Sequence, residues 1–234
     1  MIRKGPHLIS LSVIGQWNLI SFTCEQGIRR SIQFLLSGNT AGILTVLYAS
    51  LMALPVPFAA VHLLFINLLT DSLPAIALGL EPHNDKVMHD KPRPRHEGIL
   101  TKPFLLSVGL EGLVIAAATI IAFHLGLNYG GQAAGATMAF STLCLSRLFH
   151  GFNCKAAEPV IFTRKFWNNK PLLAAFGVGA LLLVAVLVVP VLEELMQAVA
   201  LPLPLGLAIP GLALGSMLVI QLLKAIRTGL GKKQ

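Results

Sequence analysis

Charge is the scarcest resource in this chain. Only 12% of its 234 residues are Asp, Glu, Lys or Arg, about half the usual share of a soluble domain. A water-facing surface over the whole molecule is therefore excluded. Acidic residues are scarcer still, 10 against 18 basic. Three cysteines, Cys24, Cys144 and Cys154, show neither disulfide nor metal-ligand spacing. No internal repeat, low-complexity tract or Gly-rich phosphate loop is present. The opening segment, Met1 to Thr23, is broken by Gln16, Asn18 and Ser21 and lacks a small-residue cleavage site, unlike a cleaved signal peptide.

What is abundant is apolar sequence, 55% of the chain with a mean hydropathy of +0.74. A bilayer core calls for about 20 mostly apolar residues per helical pass. Six such runs lie between charged connections: Ile32 to Leu54, Phe58 to Leu80, Phe104 to Leu127, Ala133 to Phe152, Leu172 to Leu192 and Leu205 to Leu223. Each must satisfy its backbone hydrogen bonds internally, which makes them helices. The expected fold is all-α, an integral membrane bundle of six helices with membrane lipids as its surroundings.

The net charge of +8 would suggest a nucleic-acid partner in a soluble protein. Here the placement of the charge argues against that. If the spans alternate, 17 of the 18 basic residues fall on one side, in the stretches Arg3 to Arg30, Lys86 to Lys102, Lys155 to Lys170 and Lys224 to Lys233. The other connections carry none, and one carries Glu193 and Glu194. The positive-inside rule then puts both termini in the cytoplasm. The eighteenth basic residue, Arg147, lies inside a span and too deep for an easy reach to either interface.

The second run holds Asn67, Thr70 and Asp71 at i, i+3 and i+4, so one helical face presents an amide oxygen, a hydroxyl and a carboxylate. These are hard oxygen donors of the kind that Ca²⁺ prefers. Asp71 is the only carboxylate near the middle of a span, where charge is costly and marks function. Pro74 frees a carbonyl one turn back and invites local unwinding. The alternative is that Asn67 and Thr70 glue helices together while Asp71 is protonated or paired with arginine. Glu81, Glu111, His62, His124 and His150 sit near span ends and read as interface residues without metal spacing.

The stretch Asn67-Leu-Leu-Thr-Asp-Ser-Leu-Pro-Ala-Ile-Ala-Leu-Gly79, then Glu81-Pro and Met88-His-Asp-Lys-Pro-Arg-Pro-Arg95, resembles the sixth-span signature and following loop of type II P-type calcium-transporting ATPases. Phe34-Leu-Leu-Ser-Gly-Asn39-Thr-Ala-Gly42 resembles the fifth span, and Thr137-Met-Ala-Phe-Ser-Thr-Leu resembles the start of the eighth. The resemblance covers residues 28–234 and implies spans five to ten of such a pump, whereas residues 1–27 look out of register with it. It implicates Asn39, Asn67, Thr70 and Asp71 as ligands of transported Ca²⁺. Where two-site pumps of this kind carry carboxylates, this sequence has Gly42 and Arg147, which implies a single site with the Arg147 guanidinium in the space of the other.

The D-K-T-G-T phosphorylation motif and the T-G-D-x-x-N-D motif are absent from these residues. ATP and Mg²⁺ would act only through domains outside them. The resemblance leaves three expectations open: a membrane fragment of a pump, inactive alone; a subunit that joins a separately encoded N-terminal half in a bacterial plasma membrane; and an independent six-span cation channel or secondary transporter.

Overall fold

The computed structural model describes residues 6–81, 100–156, 158–160 and 163–231, with side chains left undescribed over 6–25, at 69, 164 and 165, and at 230 and 231. The basic loop at Lys86 to Arg95 lies outside the described residues. The elements are α1 (Pro6–Leu51), α2 (Ala60–Phe65), a π-helical turn (Ile66–Asp71), α3 (Ser72–Gly79), α4 (Lys102–Cys154), a short 3-10 turn (Arg164–Trp167), α5 (Lys170–Val188), α6 (Pro190–Leu195) and α7 (Leu203–Gly231). No strand occurs among the described residues.

Among the described residues, five helices are long and apolar enough to cross a membrane: Gln26–Leu51, Ala60–Gly79, Lys102–Cys154, Lys170–Val188 and Leu203–Gly229. The third is 53 residues long. Kept straight it would extend about 80 Å, against a hydrocarbon core of about 30 Å. It is instead bent back on itself at Gly130 and Gly131, whose backbone leaves helical geometry, Gly131 with a φ of 69°. A side chain there would strain the turn, so glycine is what lets one apolar stretch become two passes.

The two arms, residues 102–129 and 132–154, run antiparallel. A Cβ added at Gly126 would come within 2.7 Å of Gly135 Cα, and Glu111 lies 3.6 Å from His150. Both pairs are centred on the same point of the chain, between Gly130 and Gly131, as a hairpin requires. The chain therefore makes six passes, and the six apolar runs fall on them with ends displaced by a few residues. The first begins earlier, because α1 is continuous from Pro6. The fifth stops at Val188 rather than Leu192, because Pro190 cannot supply the next helical N–H and Val189 before it is extended.

Small residues set the spacing of the bundle, as they do where lipid gives no hydrophobic drive for helices to associate. A Cβ on Gly112 would meet Ser37 O and Thr40 Cβ at 2.9 Å, which brings the first arm of α4 directly against α1. Gly179 of α5 similarly receives the Leu148 side chain. Phe34, Phe123, Phe140, Ile66, Ile115 and Leu143 fill the interior, while Leu64, Leu106, Leu181 and Leu218 face outward.

At one end of the bundle the described part of the basic connection after α4 meets the end of α3. There Asn169 caps α5 by accepting from Leu172 N at 2.8 Å and donates to Ala77 O at 2.9 Å and Glu81 at 2.6 Å. Lys155 donates to Phe166 O at 3.0 Å and stands 3.7 Å from Glu81. Burial lowers its pKa, and Glu81 acts against that. The other end is closed by uncharged contacts. His62 accepts from Ala59 N–H at 3.1 Å, bonds Met196 O at 2.6 Å and stacks on Phe140 at 4.4 Å, while Tyr48 meets His124 at 2.8 Å.

Glu111 and His62, read from the sequence as interface residues near span ends, are covered by the packing of the bundle, 5% and 1% exposed. Span-end position is a matter of depth along one helix, and does not tell whether neighbouring helices cover it.

Candidate cation site

The second pass is interrupted where Pro74 predicts it. The π-helical turn Ile66–Asp71 lies immediately before the helix carrying Pro74, as expected where a proline removes an N–H from the ladder and the backbone widens to compensate. Thr70 donates to Ile66 O at 2.9 Å, and Ser72 donates to Asn67 O, five residues back, at 3.1 Å.

The widened turn changes which side chains share a face. Thr70 and Asp71 are buried, 0% and 4% exposed, whereas Asn67 is exposed at the bundle surface. The single face that α-helical spacing predicts for Asn67, Thr70 and Asp71 is therefore split within this chain. Only the last two point inward.

Arg147 organises the group. It is 2% exposed, and its guanidinium donates to Asp71 Oδ2 at 2.8 Å and to Asn39 Oδ1 at 3.0 Å. The arginine is admitted by Gly38, at which any Cβ would overlap the guanidinium. Gly42, one turn further along α1, meets only the Leu143 side chain, at 4.0 Å from an added Cβ. The structure thus brings together Arg147, Asp71 and Asn39, with Thr70 next along the chain. Two polar atoms of the group, Asp71 Oδ1 and Arg147 Nε, are buried without a hydrogen-bond partner. An ionised carboxylate oxygen without a donor in a dry interior is costly, and it is the lone pair that a cation would take.

The sequence reading missed a second buried polar group on the same arm, one and two turns beyond Arg147. Glu111, His150 and Cys154 approach one another closely enough for their ligand atoms to lie within 4.8 Å. The i, i+4 spacing of His150 and Cys154 was the available signal. Their partner Glu111 comes from the other arm of the hairpin, out of reach of any spacing rule.

A polytopic helix bundle with a buried carboxylate–arginine pair inside its membrane-spanning part defines the class: an integral, multi-pass membrane protein. Comparison with known families narrows this. Residues 55–226 match the family described as "Cation transporting ATPase, C-terminus", and the chain belongs to that family, the membrane domain at the C-terminal side of P-type ATPases. It is 37% identical over 177 residues to a calcium-transporting ATPase of Bacillus subtilis, covering 75% of this chain and 20% of that protein. A calcium-transporting ATPase of Listeria monocytogenes is 35% identical over 210 residues, covering 88% of this chain and 23% of the relative. The mouse calcium-transporting ATPase type 2C member 2 is 28% identical over 199 residues, 84% of this chain and 21% of its own length. The chain spans about a fifth of the length of these relatives.

Proposed function

We propose that this chain supplies spans five to ten of an ATP-driven calcium transporter, with one Ca²⁺ site built in part from Asp71, Thr70, Asn39 and Asn67. The observation that carries the reading is Asp71: a buried carboxylate with Oδ2 on Arg147 and Oδ1 unpartnered. Calcium-transporting relatives over most of the chain support the choice of ion. Ca²⁺ takes six to eight oxygens, more than this group offers, so further donors come from polypeptide outside these residues. Asn67 and Asn39 are both exposed and so open to such donors.

Arg147 keeps its charge throughout. In this reading it holds Asp71 when calcium is absent and gives it up when calcium binds, while its own charge fills the place of a second ion. The phosphorylation motif and the nucleotide site lie outside the 234 residues, so ATP and Mg²⁺ act through a separately encoded or otherwise linked N-terminal half. With the basic connections inside, both termini face the cytoplasm of a bacterial cell.

Titration calorimetry of the purified chain in detergent tests the site. Saturable Ca²⁺ binding that is lost in Asp71→Asn supports it. A helical sample that does not bind Ca²⁺ means that donors outside the chain are indispensable, and binding unchanged by Asp71→Asn would overturn the assignment. In the pump assembled with its N-terminal half, Arg147→Glu is expected to raise the calcium bound per cycle above one; an unchanged stoichiometry sinks the role given to Arg147.

A further inference from the structure

The second buried group has a composition unlike the first. His150 Nε2 is the point on which three side chains converge: Ser37 Oγ at 2.7 Å, Cys154 Sγ at 3.3 Å and Glu111 Oε2 at 3.6 Å from it. The three ligand residues are nearly sealed, with Glu111 5%, His150 1% and Cys154 2% exposed. A single proton on Nε2 serves one of these neighbours at a time. A small cation placed among them serves all.

We propose that Glu111, His150 and Cys154 form a binding site for Zn²⁺, separate from the site around Asp71. Zinc bonds of about 2.0–2.3 Å in tetrahedral array hold their donor atoms roughly 3.3–3.8 Å apart. The separations of Sγ and Oε2 from Nε2, 3.3 and 3.6 Å, already fall in that range. Imidazole and thiolate suit Zn²⁺ and are poor donors for Ca²⁺. Carboxylate and thiolate together balance the two charges of the ion. Binding releases the Cys154 thiol proton to solvent, and the Ser37 hydroxyl borders the fourth position.

The surroundings of Glu111 are those of an oriented ligand. Gln33 donates to its two oxygens at 2.9 and 2.8 Å, and Lys224 stands 3.7 Å from Oε1. Lys224 is itself held by the carbonyls of Asn153 and Ala156, so its ammonium is fixed beside the carboxylate rather than in the midst of the ligands. Such outer partners aim a metal ligand and tune its affinity. The site lies at the basic end of the bundle, where Cys154 ends the second arm.

The test uses Co²⁺ as a spectroscopic stand-in for Zn²⁺, added to the purified full chain in detergent. A thiolate-to-cobalt charge-transfer band that saturates at one equivalent and is removed by Zn²⁺ is expected. Excess Ca²⁺ should leave it in place. The band should vanish in Cys154→Ser and persist in Cys144→Ser, Cys24→Ser and Asp71→Asn, which separates this site from the calcium reading. Gln33→Ala should weaken binding by about 10–100-fold. If Cys154→Ser does not retain helical circular dichroism, His150→Gln gives the same readout. A helical wild-type sample without the band, or a band that survives Cys154→Ser or His150→Gln, overturns the proposal.

Discussion

Two polar groups sit on the second arm of the α4 hairpin, and they are built in opposite ways. The Arg147 group draws on α1 and the π-helical turn and leaves Asp71 Oδ1 and Arg147 Nε unpaired. The Glu111 group is enclosed by α1, both arms of α4 and α7; both oxygens of its carboxylate have donors, and the one unpaired atom among its three ligand residues is a ring nitrogen, His150 Nδ1. A group with spare lone pairs can change partners at small cost. One already wired to four helical segments is fixed in place, and suits a resident ion or a structural tie better than a transported one.

The comparison can be broken most severely at Arg147. Arg147→Leu leaves the Asp71 carboxylate buried without its counter-charge and is expected to cost about 3–5 kcal/mol, read as a fall in the thermal midpoint in detergent. Adding Asp71→Leu should recover most of it, because the uncompensated charge is then gone. A single-mutant cost below about 1 kcal/mol would mean that the pair is not buried as described. Next in size is Gly38→Ala, whose methyl would overlap the guanidinium. Displacing Arg147 is an overpacking defect of about 1–3 kcal/mol, and the same melts check it. An arginine that swings freely aside would leave the midpoint unmoved.

The smallest effect belongs to the wired group. Gln33→Ala removes one amide from a carboxylate that still has Lys224, so about 0.5–1.5 kcal/mol is expected without added metal. A loss as large as that of Arg147→Leu would show that the second group depends on a single partner, and the contrast between the two would fail.

Much of the fold was legible in the sequence because bilayer physics is one-dimensional. Spans are apolar runs of a set length, and six of them can be counted off between charged or polar connections. Asp71 and Arg147 were legible as candidates because charge inside a span is rare enough to need a reason, and the structure joins them in one buried pair. Side-chain direction within the second pass was less so. Pro74 announces a disturbed helix, but whether the backbone widens, and so turns Asn67 outward, depends on the packing of Ile66 and Thr70 in the interior. The Glu111 group was illegible for a different reason: its members come from four segments, and only the His150 and Cys154 spacing lies within one. Gly38 was equally silent, since its role is to be absent where Arg147 arrives.

The bend at Gly130 and Gly131 has a further consequence for how the molecule meets one side of its membrane. Two residues suffice to reverse the chain there, and neither that turn nor the other connections at the same end, 52–59 and 189–202, contains a lysine or arginine. That face offers trypsin no cleavage site. Trypsin added to sealed vesicles would therefore cut the chain only when the basic end is turned toward it, which makes the protein a reporter of its own sidedness without any engineered tag.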